Sequence, residues 1–501
     1  MKRPITNLSG ILLVLATTTF PLAAEPFPRS LPEPQGVSSE GLLDFVSALD
    51  AQIEGMHGVM ALRHGRVIAE GWWKPYTAEH NHVLYSLSKS FTSTAVGFAV
   101  AEGRLSIDDP VLDHFAGDAP TDPSANLKAM RVRDLLTMST GHQDEPPIAP
   151  DTVCAKSFLA QPVPHLPGTH FKYNTAATFM QSALVQKVTG QTVLDYLTPR
   201  LFEPLGIGHP VWDRNFQGIC LGGYGLRVRT EDIAKLGQFY LQNGEWKGRQ
   251  LLPASWVEQA TAKQVSNGSN PDSDWNQGYG FQFWRCRHNA FRGDGAFGQY
   301  CIVMPDLDAV IAINSGVRDM QAVLNVVWDR FLPACHASEL PANPGAATRL
   351  RSKLASLEVS RAPGEPTSQL ASRVVNRRYV FAANDSGMQS VELIPDDAGR
   401  TLTVSVQREG KEMRFRAGFD KWQAGRLPLS GGALAEFPDE PVAATCGWTA
   451  GDTLTIKLCA IETPFHQTWN LRFEGDQVRL DCEANVAFGS TRQLNLVGQA
   501  E

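Results

Sequence analysis

Ser86 and Lys89 form the only Ser-x-x-Lys pair in the chain, inside Tyr85-Ser86-Leu87-Ser88-Lys89-Ser90-Phe91. On a helix, residues three apart lie one above the other, so the hydroxyl and the amine share a face. A serine without a histidine beside it needs another base to become a nucleophile. A lysine whose pKa is depressed by its surroundings can take the hydroxyl proton, or can hold the phenol or water that does. Other chemistry-bearing stretches are weaker. His80-Asn81-His82 has no carboxylate or cysteine at ligand spacing, and the chain lacks His-Glu-x-x-His, so it reads as a loop and no metal is expected. His142, Asp144 and Glu145 could form a second catalytic set, but a charged run of this kind is usually a solvated loop. Lys187-Val188-Thr189-Gly190 has one residue too many for a Lys-Thr-Gly motif and closes a helix.

Composition narrows the class. The 501 residues are 43% apolar and 19% charged, with a net charge of −7 and no basic tract, which speaks against nucleic acid as a partner. Lys2 and Arg3, the apolar run Ile11–Ala16 and Leu22-Ala23-Ala24 read as a targeting segment over residues 1–24. That reading places the mature chain in the periplasm or outside the cell, with no stable membrane span after cleavage. Of eight cysteines, five precede Pro341 and three follow it. If each domain keeps its own bridges, each has a thiol left over.

The elements that must position Ser86 follow from periodicity. Ser38 or Ser39 caps a helix carrying Leu42, Leu43, Phe45, Val46 and Leu49. Val59–Arg63 and Arg66–Glu70 flank His64-Gly65 as a hairpin. A mostly apolar helix runs from about Ser86 to Glu102 and stops at Gly103. Val132–Gly141 reads as a short helix ending at glycine, and further helices begin near Ala176, Asp195, Thr230 and Pro253. From Tyr279 strands take over, at Tyr279–Trp284, Gly298–Met304 and Ala309–Asn314. A helix carrying Met320, Val323, Leu324, Val327 and Phe331 closes this part. The hairpin and the late strands are expected to share one antiparallel sheet, with the intervening helices forming a second lobe. Residues 25–340 then make one unit, 341–372 a linker, and 373–501 a small all-β domain, a meander or half-barrel with no evident chemistry.

Taken in order, several stretches resemble the serine hydrolases related to class C β-lactamases, a group that includes penicillin-recognising peptidases, β-lactamase-like esterases and 6-aminohexanoate-dimer amidases. Ser86–Lys89 matches the nucleophile motif and Glu102–Val111 the segment after it. Asp134–Gly141, Pro167–Thr175, Gly222–Leu226 and Glu231–Ala234 match further segments. The resemblance implies an α/β fold, an antiparallel sheet flanked by helices with an all-helical lobe, and no cofactor. It implies Ser86 as nucleophile, and Lys89 and Tyr173 as the proton-handling pair, with Tyr173 drawn toward phenolate by the Lys89 ammonium. The backbone N–H groups of Ser86 and of Ala296 or Phe297 would bind the oxyanion, with Thr175, Asp294 and Gly295 beside the substrate. Two positions depart from the pattern. The usual Tyr-x-Asn is Tyr173-Asn174-Thr175, which offers a hydroxyl in place of an amide. The usual Lys/His-small-Gly is Asp294-Gly295-Ala296. An aspartate there would repel a substrate carboxylate, although Arg292 lies two residues away.

The expectation is therefore an exported hydrolase acting on neutral or cationic small-molecule esters or amides through an acyl-enzyme on Ser86. The alternatives are a penicillin-binding D-peptidase or β-lactamase, and a non-enzymatic binding protein with an inert cleft.

Overall fold

The computed structural model describes residues 26–428 and 439–501; the expected targeting segment lies outside the described residues. Helix α1 (Ser39–Gln52) starts where Ser38 accepts a hydrogen bond from the Gly41 N–H, which satisfies one of the free donors of its first turn. Strands β1 (Met56–Arg63) and β2 (Arg66–Trp72) follow. They are joined by His64 and Gly65, both at positive φ, the backbone twist that a two-residue hairpin needs.

The helices of the middle lobe come next. Among them are α2 (Ser88–Ala101), α3 (Thr175–Thr189) and α4 (Thr230–Leu241). Strands β3 (Trp284–Arg285), β4 (Phe291–Gly295), β5 (Gln299–Met304) and β6 (Ala309–Ser315) complete one sheet in the order β2-β1-β6-β5-β4-β3, with every pairing antiparallel. Alternation along β1 sends Met60 and Leu62 into a core shared with the helical lobe. Val59 and Ala61 enter a second core on the opposite face, with α1. Both faces are covered, so β1, β5 and β6 read as nearly continuous apolar runs.

Several boundaries differ from the sequence reading for identifiable reasons. The helix carrying Lys89 begins at Ser88, and a 3-10 turn over Tyr85–Leu87 precedes it, with Leu87 N–H donating to Leu84 O. The expected helix Val132–Gly141 ends at Leu136, because Met138 and Gly141 take positive φ and turn the chain. The expected strand Tyr279–Trp284 is mostly irregular. Gln282 sits at φ 64, and its buried amide donates to Leu135 O and Leu136 O and accepts from Thr178 Oγ1, tying the lobe to the sheet. All eight cysteines are free thiols. In the stretch that reads as linker, helix α5 (Pro344–Ser356) packs on β2. Leu354 and Leu357 there lie so close to Gly71 that a Cβ would meet them at 2.9 and 2.8 Å.

The C-terminal part is larger than a half-barrel. Among the described residues ten strands, from Arg378–Phe381 to Arg492–Ala500, run in one sheet, and Gly418 on the strand at one end (Lys411–Gly418) pairs with Thr445 on the strand next to the other end (Glu440–Trp448). Closure removes the exposed edges that an open meander would leave. The barrel is fixed to the first unit at two loops. Val83 N–H donates to Glu462 O at 2.9 Å. Asn485 Nδ2 donates to Gly316 O at 2.8 Å and to Pro464 O at 2.9 Å, and Arg318 Nε donates to Asn485 O at 2.8 Å.

One glycine decides how closely β4 approaches the turn before α2. A Cβ at Gly295 would lie 1.9 Å from Leu84 O and 3.2 Å from Leu87 N. Both are backbone atoms and cannot swing aside. Gly295→Ala is expected to cost about 1–3 kcal/mol, the usual range for overpacking, read as an earlier urea midpoint. An unchanged midpoint would show that strand and turn separate freely.

Candidate active site

The site is assembled where α2, the N-terminus of α3, the loop before α4 and the end of β4 meet. The 3-10 turn presents Ser86, and Lys89 follows in the first turn of α2, almost fully buried. Lys89 Nζ lies 3.2 Å from Ser86 Oγ, 2.7 Å from Gly223 O and 3.4 Å from Thr175 Oγ1. It also stands 5.0 Å from the centre of the Tyr173 ring. Ser86 and Lys89 thus meet at the spacing read from the sequence, and the fold places Tyr173 and Thr175 beside them.

Tyr173 precedes α3, whose first turn Asn174 caps by accepting from the Ala177 N–H. Its ring stacks on Trp284 at 5.4 Å and meets Tyr279 edge-on at 6.4 Å. These aromatics fix the ring and dry its surroundings.

Burial dominates the electrostatics. It lowers the Lys89 amine from its ordinary value of 10.5 to about 7, against the opposing charges of Glu145 and Asp294. Burial also raises the Tyr173 phenol far above its ordinary value, with the Asp294 carboxylate next in weight; the Ser86 side chain, as a hydrogen-bond partner, opposes the rise. The resemblance implied a phenol drawn toward phenolate, and the environment acts the other way. Removing a negative charge from water beside the Asp294 and Glu145 carboxylates disfavours the phenolate. A neutral amine has two N–H donors and one lone pair. Gly223 O and Thr175 Oγ1 can take the donors, which leaves the lone pair for the Ser86 hydroxyl proton.

Asp294 does not face the cleft as an isolated charge. Arg292, fully buried, holds its Oδ2 through Nε at 2.9 Å and Nη2 at 2.8 Å. The guanidinium lies 4.4 Å from the Trp275 ring centre and donates to Asp274 O at 2.8 Å. The third motif therefore presents a paired, neutral unit and no free cation. Beyond β4, Ala296 and Phe297 pass beside the 3-10 turn that carries Ser86. Phe297 has φ 66 and Tyr85, just before Ser86, has φ 45. Bulky residues rarely adopt such angles, and those that do cluster where the surrounding structure holds them for a purpose. The two rings lean on each other, with centres 5.9 Å apart.

Trp284 stacks on Tyr173 and Trp275 covers the Arg292 guanidinium, whereas Trp72 donates to Thr230 Oγ1 and the Tyr224 hydroxyl to Ile148 O. Sequence reasoning weighed Glu145, with His142 and Asp144, as a second catalytic set and set it aside as a solvated loop. It lies on an exposed loop, yet accepts a 2.6 Å hydrogen bond from the Thr175 N–H and acts electrostatically on Lys89 and Tyr173. Only its place in a run of loop residues was visible beforehand. The Gly223 carbonyl was foreshadowed by the Gly222–Leu226 match. His82, from the discarded metal candidate, instead contacts the His57 ring, Nε2 to Nδ1, at 3.1 Å.

Comparison with known proteins gives a consistent picture. The family model described as Beta-lactamase matches residues 42–322, more than half of the chain. A 6-aminohexanoate-dimer hydrolase of Paenarthrobacter ureafaciens is 25% identical over 286 residues, covering 52% of this chain and 72% of its own length. A protein of Escherichia coli O157:H7, provisionally named a D-alanyl-D-alanine carboxypeptidase, is 24% identical over 369 residues, covering 58% of this chain and 82% of its own. Among solved structures, a Bacillus anthracis protein provisionally named a 6-aminohexanoate-dimer hydrolase superposes with a TM-score of 0.51 at 20% identity. That overlap covers 64% of this chain and 90% of the other, and it speaks to the fold alone.

Proposed function

The chain belongs to the beta-lactamase family, and on that footing we propose that it is an exported serine hydrolase cleaving neutral or cationic small-molecule esters or amides through an acyl-enzyme on Ser86. The observation that carries this reading is the placement of the Lys89 amine, at about pKa 7, 3.2 Å from the Ser86 hydroxyl. Such an amine is half neutral near physiological pH, where a general base is most effective.

In this reading Ser86 Oγ attacks the scissile carbonyl while its proton passes to Lys89 Nζ. The oxyanion is received by the backbone N–H of Ser86 and that of Ala296 or Phe297. Tyr173, a neutral phenol, donates its proton to the leaving oxygen or nitrogen and is reprotonated from Lys89. Water then attacks the acyl-enzyme with the proton flow reversed. Residues 1–24, read from the sequence as a targeting segment, support assignment to the periplasm or exterior, and among the described residues no helix is long and apolar enough to cross a membrane.

A D-peptidase is the second reading, favoured by the likeness to the Escherichia coli relative. Its substrates end in a carboxylate, and Asp294 paired to Arg292 offers that group no free cation. The test is a comparison of kcat/KM on p-nitrophenyl acetate, an acyl-D-alanyl-D-alanine peptide and a chromogenic cephalosporin. The ester should lead by roughly 100-fold or more, about the discrimination that one unfavourable polar contact gives. A peptide or cephalosporin turned over as fast as the ester would replace the first reading with the second.

A further inference from the structure

The barrel, which showed no chemistry in the sequence, reaches the rim of this site. Phe465 follows Pro464 on one docking loop, and Phe488 lies on the loop between strands Gln477–Ala484 and Arg492–Ala500. The Phe488 ring centre is 5.4 Å from that of Tyr85 and 4.7 Å from that of Phe297. Phe465 is 6.3 and 5.7 Å from the same two rings. Tyr85 precedes the proposed nucleophile, and Phe297 carries a proposed oxyanion donor. The barrel thus adds two rings to the pair of positive-φ residues beside Ser86. A cleft of about 610 Å³ shares Phe297 with this group and is lined also by Val317, Arg318 and Val486 and by residues 489–491 of the loop that carries Phe488.

Phe465 and Phe488 differ in one respect. Phe465 is packed within the group, whereas Phe488 is 60% exposed. A ring needed only to brace Tyr85 and Phe297 would be most effective buried between them. Phe488 is braced along its edge and leaves much of its surface open to water beside the cleft. Covering that surface with an apolar group releases water and stabilises the complex. Loop placement is fixed by Asn485, which bridges Gly316 and Pro464. A Cβ at Gly316 would lie 2.0 Å from Pro464 O, so the two parts meet without slack.

The geometry points to Phe488 as a specificity-determining residue, forming with Phe297 and Tyr85 an aromatic subsite for a ring-sized apolar group next to the scissile bond. This rests on the hydrolase reading above. The barrel is then a part of the substrate site, and substrates with such a group are preferred over small aliphatic ones.

The test uses the full mature chain and its Phe488→Ala variant, with methyl phenylacetate, benzyl acetate and methyl acetate followed by acid release. The two aromatic esters place the ring on the acyl or the alcohol side. We expect Phe488→Ala to lower kcat/KM about 10-fold on one aromatic ester, chiefly through KM, the usual scale for losing an aromatic contact. Methyl acetate should change by less than about 2-fold. Phe488→Leu should restore part of the loss. Equal change on all three esters would assign Phe488 a bracing role and overturn the subsite, as would no change on any. Either result leaves the hydrolase reading intact. Absence of Ser86-dependent turnover by the wild-type chain on every ester would overturn both. A melting temperature within about 2 °C of wild type, as for most exposed substitutions, establishes that the variant is folded.

Discussion

Ser86→Ala is expected to abolish covalent labelling by a fluorophosphonate and to lower ester turnover by about 10⁴-fold or more, the scale seen when a serine nucleophile is deleted. The size follows from the geometry. Ser86 has the Lys89 amine 3.2 Å from its hydroxyl and sits where the 3-10 turn meets α2. Alanine removes only the Oγ and keeps the turn, since the Tyr85–Leu87 backbone is set by Leu84 O and by the close approach of Gly295. Labelling should be read by mass spectrometry on the Ser86 peptide and turnover by absorbance, with far-ultraviolet circular dichroism as a check on folding. Any label mapping to another serine, or turnover in the variant equal to wild type, would remove Ser86 from the mechanism. The barrel would then become the place to look for function.

The second large effect concerns Lys89. Its amine titrates near 7 instead of 10.5, so kcat/KM should rise with pH through about 7 and level off above it. Lys89→Met removes the base while keeping the length of the side chain, and should lower kcat by about 10²–10⁴-fold, the range for general-base catalysis. Lys89→Arg stays protonated throughout the working range and should be no better. Tyr173→Phe should slow turnover without moving the midpoint, because the phenol is pushed far above this range by burial. Stability should also rise with pH, over a higher window. Between about 7 and 10.5 the unfolded chain holds a proton on Lys89 that the folded chain does not, so native stability rises with pH across that window. The burden is fully present below about pH 7, so there Lys89→Met should be the more stable protein, and the difference should shrink as pH climbs toward 10.5. A wild-type profile without an inflection near 7, or a Met variant keeping most of its activity, would assign the proton to another group.

The fold was legible in proportion to how local its causes are. Helix α1 with its Ser38 cap, the His64-Gly65 hairpin, and the Gly190 stop of α3 follow from a few adjacent residues. The sheet was legible because β1, β5 and β6 are buried on both faces and read as apolar runs. Where distant residues decide, the sequence was silent. The strand expected at Tyr279 is broken by Gln282, whose amide serves carbonyls some 146 residues away. The helix expected to reach Gly141 stops at Leu136, where the distant Gln181 and Gln282 side-chain amides donate to the Leu135 and Leu136 carbonyls. Barrel closure rests on Gly418 meeting Thr445, a pairing that no period-2 pattern encodes.

The chemistry divides in the same way. The sequence by itself picked out the candidate reacting groups, because the three-residue spacing of Ser86 and Lys89 places them together on any helical turn. It also determined the class of protein, through motifs spread over more than half the chain. Only the tertiary structure decided how those groups are tuned. Burial, a property of everything packed around Lys89 and Tyr173, makes the amine the more available base and keeps the phenol neutral. Pairing of Asp294 with Arg292 turns an apparent repulsive charge into a neutral wall. Phe465 and Phe488 reach Tyr85 from about 400 residues further along. Pattern and spacing act between neighbours in the chain, whereas desolvation, ion pairing and ring contact act between neighbours in space.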